Sequence, residues 1–315
     1  MVVVYFTFEP REDLKAPLIA QFPQVNFVFD SKLDVANLRE AHILVTYGED
    51  LIEQRVDEAI NLEWIFVASA GVEKMPAAAI AKRDILVSNV RGIHKKPMTE
   101  SVLAHILALK RGLPFIYEQQ SKGQWNKKAN LSELNGSTAL IIGPGAIGSE
   151  IGRILQAFDV YTIGCNRSAE AAAYMDETHF LGDVAQYLPK ADIIISMLPA
   201  TKYTKHLLGY EHFELMKESA IFMNFGRGDL VDTNVLVQVM KEQLIAHAVL
   251  DVYEIEPLPM DSPLWKLDNV TLSPHFSSHS SRYVERSLDI FKPSLEQWLN
   301  GERNLENKMN LLRGY

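Results

Sequence analysis

Short, nearly continuous apolar runs alternate along this chain with longer stretches of mixed character. Residues 2–8, 25–29, 43–47, 64–68 and 85–88 are rich in β-branched and other apolar side chains and predict strands. Residues 138–142, 160–164, 193–198, 220–224, 245–250 and 270–272 repeat the pattern in the second half. Strands without an exposed polar face suit a parallel sheet covered on both sides. Their alternation with helix-forming segments implies βαβ crossovers. Two such series predict two α/β units. Between them, residues 99–113 place Val102, Leu103, Ile106, Leu107, Leu109 and Leu113 at helical spacing, with Thr99 as an expected N-cap after Pro97. Residues 281–299 form a second amphipathic helix with no strand after it, an expected return crossover onto the first unit.

A length of 315 residues fits about two domains. Lys and Arg number 31 against 40 Asp and Glu, so the net charge is 31 − 40 = −9. An acidic chain without a long basic run argues against a nucleic-acid partner. With 47% hydrophobic and 23% charged residues it reads as a folded globular protein. Runs such as 193–198 are far shorter than the roughly 20 residues a membrane helix needs, so no membrane association is expected. The opening Met1-Val-Val-Val-Tyr-Phe reads as a strand rather than a leader. The single cysteine, Cys165, leaves no intrachain disulfide and no multi-cysteine zinc site, and a cytoplasmic location is expected.

Residues 138–142 run directly into Gly143-Pro144-Gly145-Ala146-Ile147-Gly148, and a helical pattern follows. This G-x-G-x-x-G lies in the strand–turn–helix context of a dinucleotide site. Gly143 serves the tight turn, Gly145 the approach of a pyrophosphate, and Gly148 the close packing of helix on strand. The N–H groups of Ala146 and Ile147 are expected to face the phosphates. The next strand ends in Cys165-Asn166-Arg167-Ser168, with no carboxylate where a ribose diol would need one. Arg167 suits a 2′-phosphate, with Asn166 and Ser168 as neutral partners, so NADP(H) is expected over NAD(H).

Three later segments each follow a strand-like run: Asn224-Phe225-Gly226-Arg227, Asp251 through Glu256-Pro257, and Ser273-Pro274-His275. The C-terminal strand ends of a parallel sheet share one edge, so Arg227, Glu256 and His275 can converge there. An Arg fork suits a carboxylate and a polarised carbonyl. His275 suits proton transfer, and a Glu beside it orients the ring and favours imidazolium. With a nicotinamide, the set suits hydride transfer to a 2-keto acid.

The order and wording of these motifs resemble the D-isomer-specific 2-hydroxyacid dehydrogenase family, in particular its glyoxylate/hydroxypyruvate reductase-like branch. Ser69-Ala-Gly71-Val72, Asn89-Val-Arg-Gly92, Leu198-Pro199 and the Gly226 to Asp232 stretch extend the resemblance over nearly the whole chain. It implies two Rossmann-like α/β domains with parallel sheets. The substrate-binding (catalytic) domain is discontinuous, over residues 1–96 and 280–315, and the dinucleotide-binding domain, residues 97–279, is inserted. It implies that Arg227 binds the carboxylate and keto oxygen of a small 2-keto or 2-hydroxy acid, that His275 is the acid/base, and that Glu256, before Pro257, is its partner rather than Glu254. It further implies backbone donors to the substrate at Gly71 and Val72, a nicotinamide bordered by Phe225 and Arg227, Leu198 and Pro199 at the cofactor, and Asp251 on the carboxamide. A homodimer is implied, joined through the 99–113 helix and the loop bearing Trp125. Two departures stand out: Asn166 replaces the acid of NAD-using members, and Phe276-Ser-Ser follows the histidine.

His275 and His279 have metal-pair spacing, but no third ligand is placed beside them, and no metal is expected. Cys165 is expected to pack rather than react. Two other functions remain: reduction of a bulkier phenyl- or branched-chain 2-keto acid, and a catalytically idle dinucleotide sensor. The intact Arg227, Glu256 and His275 weigh against the sensor.

Overall fold

The computed structural model describes residues 1–69, 72 and 75–309. The chain forms two compact units, Met1–Ile93 with Ser280–Tyr315, and His94–His279. Both are α/β with wholly parallel sheets, as the alternation predicts. The first unit opens with β1 (Val2–Phe6), α1 (Glu12–Gln21), β2 (Val25–Phe29), α2 (Val35–Glu40), β3 (Ile43–Thr46), α3 (Glu53–Glu58), β4 (Trp64–Val67), α4 (Ala77–Lys82) and β5 (Leu86–Asn89). The second contains α5 (Lys95–Lys110), α6 (Leu113–Ser121), β6 (Thr138–Ile142), α7 (Ala146–Gln156), β7 (Tyr161–Asn166), β8 (Glu177–Phe180) and β9 (Ile193–Ser196). It continues with α8 (Tyr210–Glu214), β10 (Ile221–Asn224), α9 (Thr233–Lys241), β11 (His247–Leu250) and β12 (Val270–Leu272). The chain then returns to the first unit as α10 (Tyr283–Leu299).

In the first unit the strand order is β2-β1-β3-β4-β5. Alternate strand residues feed two separate cores, as a side-chain period of two requires. Tyr5, Leu44, Ile65 and Val67 face α2 to α4, while Val4, Phe6, Trp64 and Phe66 face α1 and α10. The α10 ring of Phe291 sits 5.6 Å from Phe6, 5.6 Å from Trp64 and 5.1 Å from Phe66, and Trp298 lies 6.5 Å from Trp64. The terminal helix returns here because one sheet face would otherwise leave these aromatics in water.

In the second unit the order is β12-β11-β10-β9-β6-β7-β8. Strand order reverses between β6 and β9, so a crevice opens at their C-terminal ends. The polar strand β8, Glu-Thr-His-Phe, lies outside the apolar pattern, since an edge strand needs no continuous apolar run. The linking helix differs from its expected bounds. It starts at Lys95, because Pro97 is tolerated in a first turn, and it places Thr99 inside the helix, buried, rather than at its cap. It ends ahead of Gly112, whose φ of +61° separates α5 from α6.

Burial holds His94, His105 and His247 of the second unit towards their neutral form. Desolvation, then the charge of His105, lowers His247 to about 4, while its Nε2 lies 2.8 Å from Thr271 Oγ1. Below pH 6.5 the unfolded chain takes up this proton and the folded chain resists it until about 4. Stability is therefore complete above pH 6.5 and lost as pH falls towards 4, by about 2–3 kcal/mol from this group. Melting temperatures across that window should fall less steeply in His247→Asn than in the parent; parallel curves would refute the assignment.

Candidate active site

The glycine turn lies at the strand-order reversal. Gly143 has a φ of +90°, and its N–H donates to Cys165 O at 2.9 Å. A Cβ on Gly148 would stand 2.6 Å from Gly143 O, so helix α7 could not approach β6 with any larger residue there. A Cβ on Gly145 would meet nothing within 4 Å, so that side of the turn is open. Ala146 and Ile147 begin α7, where the first N–H groups of a helix have no partner within the helix. An open face, free N–H groups and a helix N-terminus together fit a dinucleotide pyrophosphate. Leu198 is buried across the reversal, its Cδ2 within 3.1 Å of the Gly143 Cβ position, and Pro199 next to it is exposed.

At the end of β7, Asn166 is committed to its own loop. Its Nδ2 donates to Glu170 O at 2.8 Å and its Oδ1 accepts from Ser168 N–H at 3.1 Å. Arg167 and Ser168 are exposed, and the Arg167 guanidinium makes no hydrogen bond or ion pair to another described residue. Cys165 beneath them is fully buried, and burial pushes its thiol up to about 12, so it stays protonated at neutral pH.

Arg227, Asp251 to Glu256, and His275 follow β10, β11 and β12, three adjacent strands, and so share one edge of the sheet. The turn before Arg227 is stapled by Asn224, whose Nδ2 donates to Arg227 O at 2.9 Å and whose Oδ1 accepts from Gly226 N–H at 3.2 Å. A Cβ on Gly228 would lie 1.9 Å from the Tyr253 carbonyl carbon, so this turn presses against the β11 loop. Phe225 is buried, its ring 6.0 Å from His105, and Arg227 is exposed, with Nη1 donating only to Gly226 O at 2.9 Å among the described residues.

His275 Nδ1 stands 2.7 Å from Glu256 Oε2, and the other carboxylate oxygen accepts from Tyr253 N–H at 3.0 Å. With Glu256 ionised, Nδ1 carries the proton and Nε2 is left for exchange. His275 has a φ of +50°, a left-handed conformation few non-glycine residues adopt. Tyr253 is a site residue that sequence reasoning misses. Burial pushes its phenol up to about 12, and the hydroxyl donates towards Leu250 O at 3.0 Å and Ser273 O at 2.9 Å, tying the β11 and β12 loops together. No motif marks this tyrosine.

Glu254 faces elsewhere. It accepts from Thr233 N–H at 2.7 Å and Thr233 Oγ1 at 2.5 Å, and pairs with His206 at 2.9 Å. Burial disfavours its charge, but these donors outweigh burial and hold it below the usual carboxylate range. His206, Asp232 and Glu254 bring three ligand-type atoms within 4.8 Å of one another, yet Glu254 is hydrogen-bonded and Asp232 caps α9. The Asp251 carboxylate is fully buried, its Oδ1 accepting from Ser273 Oγ at 2.6 Å and from Phe276 N–H at 3.1 Å. Of the expected carboxylate donors, Val72 is half-buried in the first unit, its O accepting from Met75 N–H at 3.1 Å, and Gly71 lies outside the described residues. A cavity of about 630 Å³ adjoins the Glu256–His275 pair, walled by Tyr253, Pro257, Leu258, Trp265, Leu272 and Pro274 with Glu256 and His275 themselves.

Residues 103–277 match the D-isomer specific 2-hydroxyacid dehydrogenase, NAD binding domain. A glyoxylate reductase of Thermofilum pendens is 34% identical over 274 residues, 84% of this chain and 80% of that enzyme. A D-3-phosphoglycerate dehydrogenase of Methanocaldococcus jannaschii is 31% identical over 278 residues, 87% of this chain but 52%, about half, of the longer relative. A crystal structure of a D-isomer specific 2-hydroxyacid dehydrogenase family protein from Aeromonas salmonicida superposes with a TM-score of 0.83 at 32% identity, covering 98% of both chains. The fold, the glycine turn at its strand reversal and these similarities agree: the chain is an oxidoreductase with an NAD(P)-binding domain, and it belongs to the D-isomer specific 2-hydroxyacid dehydrogenase family.

Proposed function

We propose that this protein reduces a short 2-keto acid of the glyoxylate or hydroxypyruvate type, with NADP(H) preferred over NAD(H). The observation that carries the reading is the Glu256–His275 pair on the same sheet edge as Arg227, whose guanidinium has no ion-pair partner among the described residues. When bound, the reduced nicotinamide supplies the hydride. Negative charge then grows on the keto oxygen, where the Arg227 fork stabilises it. His275 Nε2 donates the proton that completes the alcohol, and Glu256 neutralises the imidazolium and holds its ring. Gly143, Gly145, Ala146, Ile147 and Gly148 would cradle the pyrophosphate, with Leu198, Pro199 and Phe225 around the remainder of the cofactor. In the first unit, the Val72 N–H is the proposed backbone donor for a carboxylate. A cytoplasmic setting is part of this reading, supported by the single buried cysteine. Among the described residues no helix is long and apolar enough to cross a membrane.

The test is NADPH and NADH oxidation with a panel of glyoxylate, hydroxypyruvate, 3-phosphohydroxypyruvate, phenylpyruvate and a branched-chain keto acid. Fastest turnover of the two smallest acids supports the proposal, and no turnover of any refutes it. The largely apolar cavity beside His275 favours one second reading, a bulkier keto acid, which phenylpyruvate would reveal.

The cofactor preference rests on Arg167. Its replacement by Ala should raise KM for NADPH by about 10- to 100-fold, the weight of one charge-assisted phosphate contact, and leave NADH use nearly unchanged. A parent that uses NADH as well as NADPH would refute the preference.

The proposed assembly is a homodimer through α5 and the loop after α6. Trp125 is 92% exposed and Tyr117 62% exposed, an apolar surface suited to an obligate interface. Light scattering at low concentration should give twice 35.5 kDa; a fully active species at the single-chain mass would overturn it.

A further inference from the structure

We propose that His206, Asp232 and Glu254 bind a divalent transition-metal ion of the Zn²⁺ type, at a site apart from the Glu256–His275 pair. One ligand-type atom of each lies within 4.8 Å of the others. His206 lies in the loop after β9, Asp232 caps α9 after β10, and Glu254 lies in the loop after β11. The adjacent strands β9, β10 and β11 bring these three loops to one edge of the second sheet. An imidazole and two carboxylates from three separate segments therefore meet at one point, which no spacing along the chain marks.

The hydrogen bonds that the two acids already make orient them without using up their ligand atoms. Asp232 Oδ1 accepts from Asn234 N–H at 2.8 Å and from Val235 N–H at 3.3 Å, which leaves Oδ2 for an ion. Glu254 Oε2 accepts from Thr233 N–H and Oγ1, which leaves Oε1 facing His206 Nε2 at 2.9 Å. Carboxylates that ligate metals are held in this way by outer hydrogen bonds. His206 is held through its backbone, where its N–H donates to Asp229 O at 2.7 Å. The charges point the same way. Among the described residues neither acid pairs with a Lys or Arg, and the charge of Asp232 opposes ionisation of Glu254. A dication balances both carboxylates at once.

The nitrogen donor selects the ion. Imidazole with carboxylates suits Zn²⁺ and its transition-metal neighbours, whereas Ca²⁺ and Mg²⁺ take oxygen ligands. Zinc bonds of about 2.0–2.2 Å place tetrahedral ligand atoms about 3.4 Å apart. His206 Nε2 and Glu254 Oε1 already stand 2.9 Å apart, and rotation of the exposed His206 side chain brings the set to that spacing. The ion displaces the proton that Nε2 shares with Oε1, and the neutral ring then carries its proton on Nδ1. Water fills the remaining position. Because Glu254 lies two residues before Glu256, the bound ion ties α9 to the loop that carries Glu256.

The test is calorimetric titration of the metal-free full chain with Zn²⁺, with the visible absorption of Co²⁺ as a second probe. The parent should take up Zn²⁺ at this site, and His206→Ala should lose one bound ion per chain. Asp232→Asn keeps a good helix cap and loses the charge, and Glu254→Gln likewise loses a ligand charge. Both should weaken binding by more than the about 10- to 100-fold that loss of an outer partner costs. Thr233→Val keeps all three ligands and removes one outer bond, so it should fall within that range. His275→Ala should bind as the parent does. Unchanged binding in His206→Ala overturns the proposal, as does binding lost in His275→Ala, equal binding of Mg²⁺ or Ca²⁺, or a parent without saturable Zn²⁺ binding. Should a variant fail to fold by circular dichroism, zinc X-ray absorption of the parent decides: one imidazole among oxygen ligands supports the set, and two or more imidazoles overturn it. None of these readouts uses the keto-acid reaction, so they stand whichever substrate the enzyme takes.

Discussion

Replacing His275 by Ala is expected to lower kcat for keto-acid reduction by about 10²–10⁴-fold, the usual weight of a general acid. His275→Asn should lose as much, and it separates chemistry from backbone, because Asn accepts a positive φ that Ala resists. NADPH binding should survive in both, since the Gly143 to Gly148 turn is untouched. Glu256→Gln keeps the shape of the partner and removes its charge. Nδ1 then meets a neutral amide in place of the carboxylate that holds the ring, so kcat for reduction should fall about 10-fold. Glu254→Gln should leave kcat near the parent, because Glu254 serves Thr233 and His206 instead. Turnover of the three proteins decides: a Glu256→Gln kcat equal to the parent's removes Glu256 from this role.

The second large effect is structural. Phe291→Ala should destabilise the first unit by about 3–5 kcal/mol, the range for deleting a fully packed phenyl ring. Phe291 is fully buried and touches the rings of Phe6, Trp64 and Phe66, so the cavity left behind has rigid aromatic walls and collapses poorly. Trp64 and Trp298 flank the site and report on it. Urea titration followed by tryptophan fluorescence should move to a lower midpoint in Phe291→Ala. Phe291→Leu, which refills most of the volume, should move it much less. A shift below about 1 kcal/mol in the Ala variant would mean that α10 is not the cover this sheet requires.

Much of this architecture is legible because buried parallel strands are written in apolar runs. The strands 25–29, 138–142 and 270–272 match their expected bounds. The edge strand β8 carries Glu177, Thr178 and His179 in place of an apolar run, and so escapes the pattern. Thr99 resembles a helix cap because a preceding proline commonly marks a boundary, yet a first turn needs no N–H at that point. At the site, Glu254 and Glu256 are separable in sequence only through the family resemblance. The structure separates them physically, one facing Thr233 and the other His275. Tyr253 and the donors around Asp251 carry no sequence signal, because a hydrogen-bond network between loops from different strands has no spacing to read.

The return of α10 to the first unit also bears on how the molecule is made. Both cores of the second unit draw only on residues between Met98 and Leu272, so nothing synthesised after it is needed to fill them. One core of the first unit, by contrast, includes Leu288, Phe291, Leu295 and Trp298. On a ribosome delivering the chain from residue 1, β1 to β5 emerge first and still wait for that cover. The inner unit can therefore close before the outer one, which reverses the N-terminal-first order usual for multidomain chains. During that interval the face of Phe6, Trp64 and Phe66 is the nascent chain's exposed apolar surface, and the one a chaperone would meet.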